Sequence, residues 1–379
     1  MSQKIANKNN SITVATALLI LSLTFIAAIS SFLVPNIRST NALLELQFPT
    51  SQKFDLMAVN SGNPPNTNNF QLPAGNKIEP VLWNLTTPGT LAFDDKGNIY
   101  LSEVGSSYGQ LTSLPRIYKL QSNGNMSVLV DRFLFEPISD IEFNKDNGLL
   151  YVSHRGIIST VNQTSGLVKD LVMGLPSVDF GSHPQGQIAF GSDGRAYFTT
   201  GTSTNSGVVD KSDLAFGWLK LHPQMYDIPG QNITLTGQNF VSKNLLNPID
   251  TTNKTTGAFV LFGTSTKSSQ TIKGQKICNG CLFSMKPNGT DLRLHAWGLR
   301  SPFGMVFDSK DSKLFISNDG ADDKGIRPIT NDTDNVYSFD IKNSSSGTTN
   351  NIMWYGWPDF YGNREPVTDP KFGMSKNLT

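Results

Sequence analysis

From about residue 80 onward, apolar and polar residues alternate in short runs, and one phrase keeps returning. It is a pair of apolar positions ending in Phe, then a turn rich in Asp, Asn and Gly, then a second apolar run. The instances are LAFDDKGNIYLSE (Leu91 to Glu103), IEFNKDNGLLYVSHRG (Ile141 to Gly156), IAFGSDGRAYFTTGT (Ile188 to Thr202) and MVFDSKDSKLFISNDG (Met305 to Gly320). Period-two alternation puts every second side chain on one face, and Asp, Asn and Gly adopt the turn conformations other residues resist. Each phrase therefore predicts a β-hairpin, with Phe93, Phe143, Phe190 and Phe307 on one face. The Phe-to-Phe steps are 50, 47 and 117 residues. Propeller blades repeat about every 40–50 residues, so the first two steps predict one blade each. The third step is too long, and residues 209–276, including GWLKLHPQMYDIPGQNITLTGQNF, hold no such phrase. They predict an inserted lobe or a degenerate repeat. A β-sandwich is the competing reading, but its strand spacing is shorter and less uniform.

Ahead of the repeats the pattern changes. Residues 1–11 carry Lys4 and Lys8, and Ile12 to Val34 then run 23 positions without a charge, closed by Pro35 and Arg38. A secretory core needs about 7–15 apolar residues and a spanning helix about 20, so the length predicts an uncleaved transmembrane anchor. A cleaved signal, cut near Thr40-Asn41-Ala42, is the alternative. Both leave the lysines inside and export the rest. Residues 35–79, with SGNPPNTNN, lack periodicity and predict a linker to a domain over 80–379. Past the apolar run, nine Asn-x-Ser/Thr sequons agree with export: Asn84, Asn125, Asn162, Asn232, Asn253, Asn288, Asn331, Asn343 and Asn377. In a chain so rich in Asn, Ser and Thr, several arise by composition alone.

Composition narrows the function classes. The chain has 379 residues at 38% hydrophobic content, enough for a real core. The net charge of +1 offers no surplus to hold a polyanion, which argues against nucleic acid as a partner. Only 16% of residues are charged, beside 33 Gly and 23 Phe, a balance that favours an all-β fold. Two cysteines exclude a disulfide scaffold and a four-thiolate metal site within the chain. Cys278-Asn279-Gly280-Cys281 opens a strand rather than a helix, which points to a local disulfide or two unreactive thiols instead of redox catalysis.

Three segments in order, SHPQGQIAFGSDGRAYFTTGT (Ser182 to Thr202), AWGLRSPFGMVFDSKDSKLFISNDG (Ala296 to Gly320) and WYGWPDF (Trp354 to Phe360), resemble the glucose/sorbosone dehydrogenase family. This is the soluble quinoprotein group that includes the aldose sugar dehydrogenases. The resemblance spans about Pro80 to Phe372. It implies a six-bladed β-propeller that holds pyrroloquinoline quinone (PQQ) beside Ca²⁺ and oxidises a sugar or related alcohol, passing electrons to an external acceptor. His183 falls on the family's catalytic base, a role that suits a neutral imidazole. Arg300 in GLRSPFG matches the arginine at the quinone and substrate, and Ser301 stands where the family has a quinone-contacting Asn. Gly320 and Ala321 match the pair whose carbonyls hold calcium, a hard cation that takes oxygen ligands. Of the other histidines, His154 at a strand end is the second candidate for the same channel. His295, in an alternating strand, reads as a packed or surface residue.

The sequence also departs from the family. The catalytic-face glutamine is missing from TTGTSTNSG (Thr199 to Gly207), and Ser301 is too short to reach a cofactor except through water. The chain ends soon after WYGWP, where the family continues for about two blades. The expectation is therefore an incomplete propeller of about four blades plus the inserted lobe. The alternative function is a catalytically inactive propeller binding carbohydrate or protein at the cell surface. A lactonase-like Ca²⁺ hydrolase is a third class, disfavoured because the strand ends provide few converging carboxylates.

Overall fold

The structure, a computed structural model, describes residues 59–367 apart from 108–109, 112, 177–182, 184–185, 216, 309, 311–312 and 342–351. The predicted anchor at 12–34 and the sequons Asn343 and Asn377 lie outside the described residues. Among the described residues no helix is long and apolar enough to cross a membrane.

The four repeat phrases form the first two strands of four antiparallel sheets. The first blade holds β1 (Pro88–Phe93), β2 (Ile99–Glu103), β5 (Arg116–Leu120) and β6 (Met126–Val130), and the connection from β2 to β5 forms a short separate ribbon of β3 (Ser106–Ser107) and β4 (Gln110–Leu111). The second holds β7 (Ile138–Asn144), β8 (Leu149–His154), β9 (Ile157–Asn162) and β10 (Val168–Val172). In the third, β11 (Ile188–Phe190) and β12 (Ala196–Thr200) pair onward to β17 (Cys281–Met285) and β18 (Arg293–Trp297). The fourth is β19 (Ser301–Phe307), β20 (Lys313–Asp319) and β21 (Asn335–Asp340). The repeat turns are closed as their residue types dictate. Asp94, Asn144, Asp193 and Asp308 each accept, through Oδ1, a backbone N–H from two to five residues ahead.

The first strands β1, β7, β11 and β19 neighbour one another in that order, so the sheets fan around one side of an axis. Apolar side chains fill the gaps between blades. Tyr100, Ile117, Ile141 and Leu150 pack between the first and second. Tyr151, Ile188, Phe198 and Phe283 pack between the second and third, and Tyr197, Leu282, Leu314 and Phe339 between the third and fourth. Phe143, Phe190 and Phe307 join these three cores in turn. Phe93 meets no earlier blade among the described residues and stays 59% exposed, together with Leu91. At the far end Val306 and Val336 are exposed in the same way. Four blades are therefore formed among the described residues, not six.

Between β12 and β17 the chain leaves the blade. It forms α1 (Lys211–Ala215), α2 (Trp218–Leu221) and two ribbons. One ribbon pairs β13 (Ile233–Thr234) with β16 (Thr271–Ile272), the other β14 (Asn239–Lys243) with β15 (Asn253–Gly257). Val209, Trp218 and Leu219 give this lobe its own small core. Finally β22 (Met353–Trp354) adds in parallel to the outer edge of β18, which brings the WYGWPDF segment back against the third blade.

Candidate functional site

The run Gly201 to Asp210 links the third blade to the lobe, and every residue in it is buried. Buried backbone without a sheet must find other partners. Asp227 supplies them, accepting the Ser203 and Thr204 N–H groups at 2.7 and 3.2 Å and the Thr204 hydroxyl at 2.6 Å. Burial raises its carboxyl to about 6 despite these bonds.

This loop brings His183 and Arg300 to one place. His183 Nδ1 lies 2.9 Å from Thr202 Oγ1 and 3.2 Å from the Thr202 carbonyl. The Thr202 hydroxyl donates its proton to the Thr204 carbonyl at 2.8 Å, so both oxygens facing the imidazole act as acceptors. Nδ1 must then carry the proton, which leaves the lone pair on Nε2. Burial holds the ring well below the ordinary histidine value, helped by the positive charges of Arg300 and then Lys324. The result is a neutral imidazole with a fixed tautomer. Thr202 also donates its own N–H to the Arg300 carbonyl at 2.9 Å, tying the two residues through one loop position.

The Arg300 guanidinium is itself tightly held. It donates to the carbonyl and Oδ1 of Asn205 at 3.2 and 2.7 Å, to the Gly320 carbonyl, and to Asp322 Oδ2 at 2.6 Å. Asn205 is fixed in turn by Trp357, whose Nε1 donates to its carbonyl at 3.0 Å. The same Asp322 oxygen lies 2.6 Å from Lys324 Nζ, so a half-exposed carboxylate bridges two cations. Arg300 also borders a recess of about 250 Å³ walled by Asp319, Asp332, Tyr337, Tyr355 and Trp357.

The residues assigned to the cofactors behave differently from one another. Arg300, which borders the aromatic recess, and Lys324, bridged to it through Asp322, carry the kind of charge that would hold the acidic groups of an anionic flat ring such as PQQ. Calcium does not fit Gly320 and Ala321 as they stand. The Gly320 carbonyl accepts a guanidinium N–H, and a second cation there would face that charge. Asp334 and Asp332, the nearby carboxylates, accept the Gly320 and Ala321 N–H groups instead. No group of three metal-ligating side chains converges among the described residues. Ser301 bonds the Asp319 carboxylate and gives its N–H to Asn318 Oδ1.

The remaining candidates lie elsewhere. His154 is buried inside the second blade, where Nδ1 accepts the Phe135 N–H at 3.2 Å and Nε2 meets Ser159 Oγ at 2.8 Å. Ser159 spends its proton on Asp170, so His154 is a bonded core residue rather than a group facing the channel. His295 is packed on Tyr197 and bonded to Ser284 Oγ at 2.7 Å. Burial pulls both rings down to about 4. Cys278 and Cys281 form a disulfide beneath the loop, and Thr200 Oγ1 donates to the Cys278 carbonyl.

Sequence reasoning missed Thr202, Asn205, Asp322 and Lys324. For Thr202 and Asn205 the available signal was TTGTSTNSG itself, an uncharged run of small polar residues too long for a hairpin turn.

No protein-family model matches the chain, and no curated protein matches it. Among solved structures it is similar to an oxidoreductase of Thermus thermophilus named as a glucose dehydrogenase, at 15% identity and a TM-score of 0.43, covering 79% of this chain and 71% of that one. It is also similar to the PQQ-bound form of aldose sugar dehydrogenase from Streptomyces coelicolor, at 16% identity and a TM-score of 0.41, covering 73% and 63%. A further glucose dehydrogenase is similar at 13% identity and a TM-score of 0.41, covering 73% and 64%. At these values the likenesses assign neither an activity nor a ligand to this chain.

Proposed function

We propose that the chain is an exported, membrane-anchored oxidoreductase that removes two electrons from a sugar or related alcohol with PQQ as cofactor. The observation that carries this reading is the His183 tautomer: a neutral imidazole with its lone pair on Nε2, fixed beside a cationic cluster. His183 accepts the proton of the substrate hydroxyl, and Thr202 keeps the ring from turning. Arg300 stabilises negative charge that grows beside it, at a position set by Asn205 and Trp357. PQQ, when bound, supplies a hydride acceptor. No step is assigned to calcium.

Export through residues 12–34, with 35–79 as linker and 80–379 outside the membrane, completes the proposal. The described sequon asparagines Asn84, Asn125, Asn162, Asn232, Asn253, Asn288 and Asn331 are all exposed, as glycan attachment requires. The test is to purify the full chain, load it with PQQ with and without Ca²⁺, and follow dye reduction on a panel of aldoses. Substrate-dependent reduction that needs PQQ supports the reading; no PQQ-dependent rate on any aldose overturns it.

A second reading, a non-catalytic propeller that binds carbohydrate or protein, is favoured by one observation. The groups assigned to the cofactors are engaged by the protein itself, Arg300 with Asp322, Ser301 with Asp319, and the Gly320 carbonyl with Arg300. Micromolar binding of PQQ, measured by titration, contradicts that second reading.

A further inference from the structure

The lobe and the outer edge of the third blade enclose a groove of about 630 Å³, on the other side of the WYGWPDF segment from Arg300. Trp354 and Asp359 of that segment face the groove, whereas Trp357 and Phe360 face the recess beside Arg300. We infer that this groove is a second binding site, for a neutral saccharide of one or two pyranose units, distinct from the redox site and independent of it.

Three properties of the lining carry the inference. The first is aromatic surface. The part-exposed rings of Trp354 and Phe240 face the groove, with buried Trp297 stacked behind Trp354 at a centroid distance of 5.7 Å and 27° from parallel, and buried Phe259 beneath them. A pyranose presents a face of C–H bonds that packs on such rings while its hydroxyls stay at their edges. The second is the charge balance. Arg327 and Asp359, both in the lining, are paired at 2.6 Å, and the other end of the Arg327 fork donates to the Ser206 carbonyl at 2.7 Å. The groove thus offers charged hydrogen-bonding groups with no net charge, which favours an uncharged polyol over an anion. The third is hydrogen-bonding capacity. The exposed residues Thr234 and Thr236 stand on the rim. Trp297 Nε1 is a buried donor with no hydrogen-bond partner among the described residues.

The groove is also a built cavity. Asn239 braces the ribbon wall, its amide donating to the Gly237 and Thr266 carbonyls at 2.9 and 2.8 Å while its Oδ1 accepts the Thr266 N–H at 2.7 Å. Aromatic walls with a few fixed polar groups are the usual form of a small-ligand site. The ribbons that make one wall belong to residues 209–276, so the site exists because the lobe does.

Tryptophan fluorescence provides the test, because Trp354 is the proposed platform and Trp297 stacks directly behind it. The full chain, held in a polyoxyethylene detergent that carries no sugar, is titrated with maltose, cellobiose and glucuronate. A saturable change with at least one neutral disaccharide is expected. It should weaken at least tenfold in both Phe240→Ala and Thr236→Arg, and persist in His183→Ala. Thr236→Arg lies on an exposed rim position, so its result stands even where Phe240→Ala misfolds. No saturable change with either disaccharide overturns the inference. So does binding that survives Thr236→Arg, glucuronate binding more tightly than the neutral sugars, or binding that is lost in His183→Ala alone. Failure of PQQ-dependent turnover leaves this inference standing, and failure of the titration leaves the redox reading standing.

Discussion

The recess beside Arg300 and the groove beside Trp354 share one wall yet are organised in opposite ways. Around Arg300 the polar groups are matched internally: one guanidinium meets Asn205, Gly320 and Asp322, and a loop with no sheet of its own is held by Asp227. Around Trp354 the surface is aromatic and the Arg327–Asp359 ion pair cancels itself. The first arrangement fixes charge and a tautomer, as proton transfer requires. The second presents shape and stacking area, as recognition requires. One chain segment, Trp354 to Phe360, serves both.

The largest effect that sharpens this contrast is loss of the buried guanidinium. Arg300→Leu leaves Asn205 and the Gly320 carbonyl without their donor and should cost about 3 kcal/mol in denaturant unfolding, while saccharide binding at the groove per folded molecule is unchanged. A loss under about 1 kcal/mol would mean that the matched polar network does not organise this region. The paired change Cys278→Ser with Cys281→Ser comes next. The cysteines are three residues apart, and so short a closed loop contributes about 2 kcal/mol. An unchanged denaturation midpoint would remove the disulfide from the account of the loop.

Asp322→Asn is a smaller and more selective change. It removes the carboxylate that bridges Arg300 and Lys324, and PQQ affinity should rise about tenfold, near 1.4 kcal/mol. Weaker PQQ binding would show that Asp322 does not compete for the two cations. The smallest expected effect is on the pH profile. His183 is held well below 6.5 by burial and by Arg300 and Lys324, so its proton-accepting form persists as the pH falls through that value. In the loaded enzyme kcat/KM should stay level from pH 8 through 6.5, and an acid limb at 6.5 would contradict the assigned environment.

The sequence made some of this legible and hid the rest for identifiable reasons. Each hairpin carries its own Phe, its own Asx turn and its own alternation, so the first two strands of all four blades could be located from local pattern. The exposure of Phe93 could not, because whether an inner-strand Phe is covered depends on a neighbouring blade rather than on its own hairpin. His183 and Arg300 stood out through ordered motifs. Asn205 and Asp322 did not, since their partners lie 95 and 22 residues from them along the chain and leave no local periodicity. His154 misled because a strand-end histidine reads the same whether it faces a channel or, as here, bonds to Ser159 inside the blade.

The central claim is that the Nε2 lone pair of His183 takes the substrate proton. It is tested most directly by kcat of His183→Ala beside the parent, both loaded with PQQ and saturated with the same aldose. A fall of about 10²–10⁴ with PQQ affinity intact is the predicted result, and a variant that turns over as fast as the parent contradicts the account.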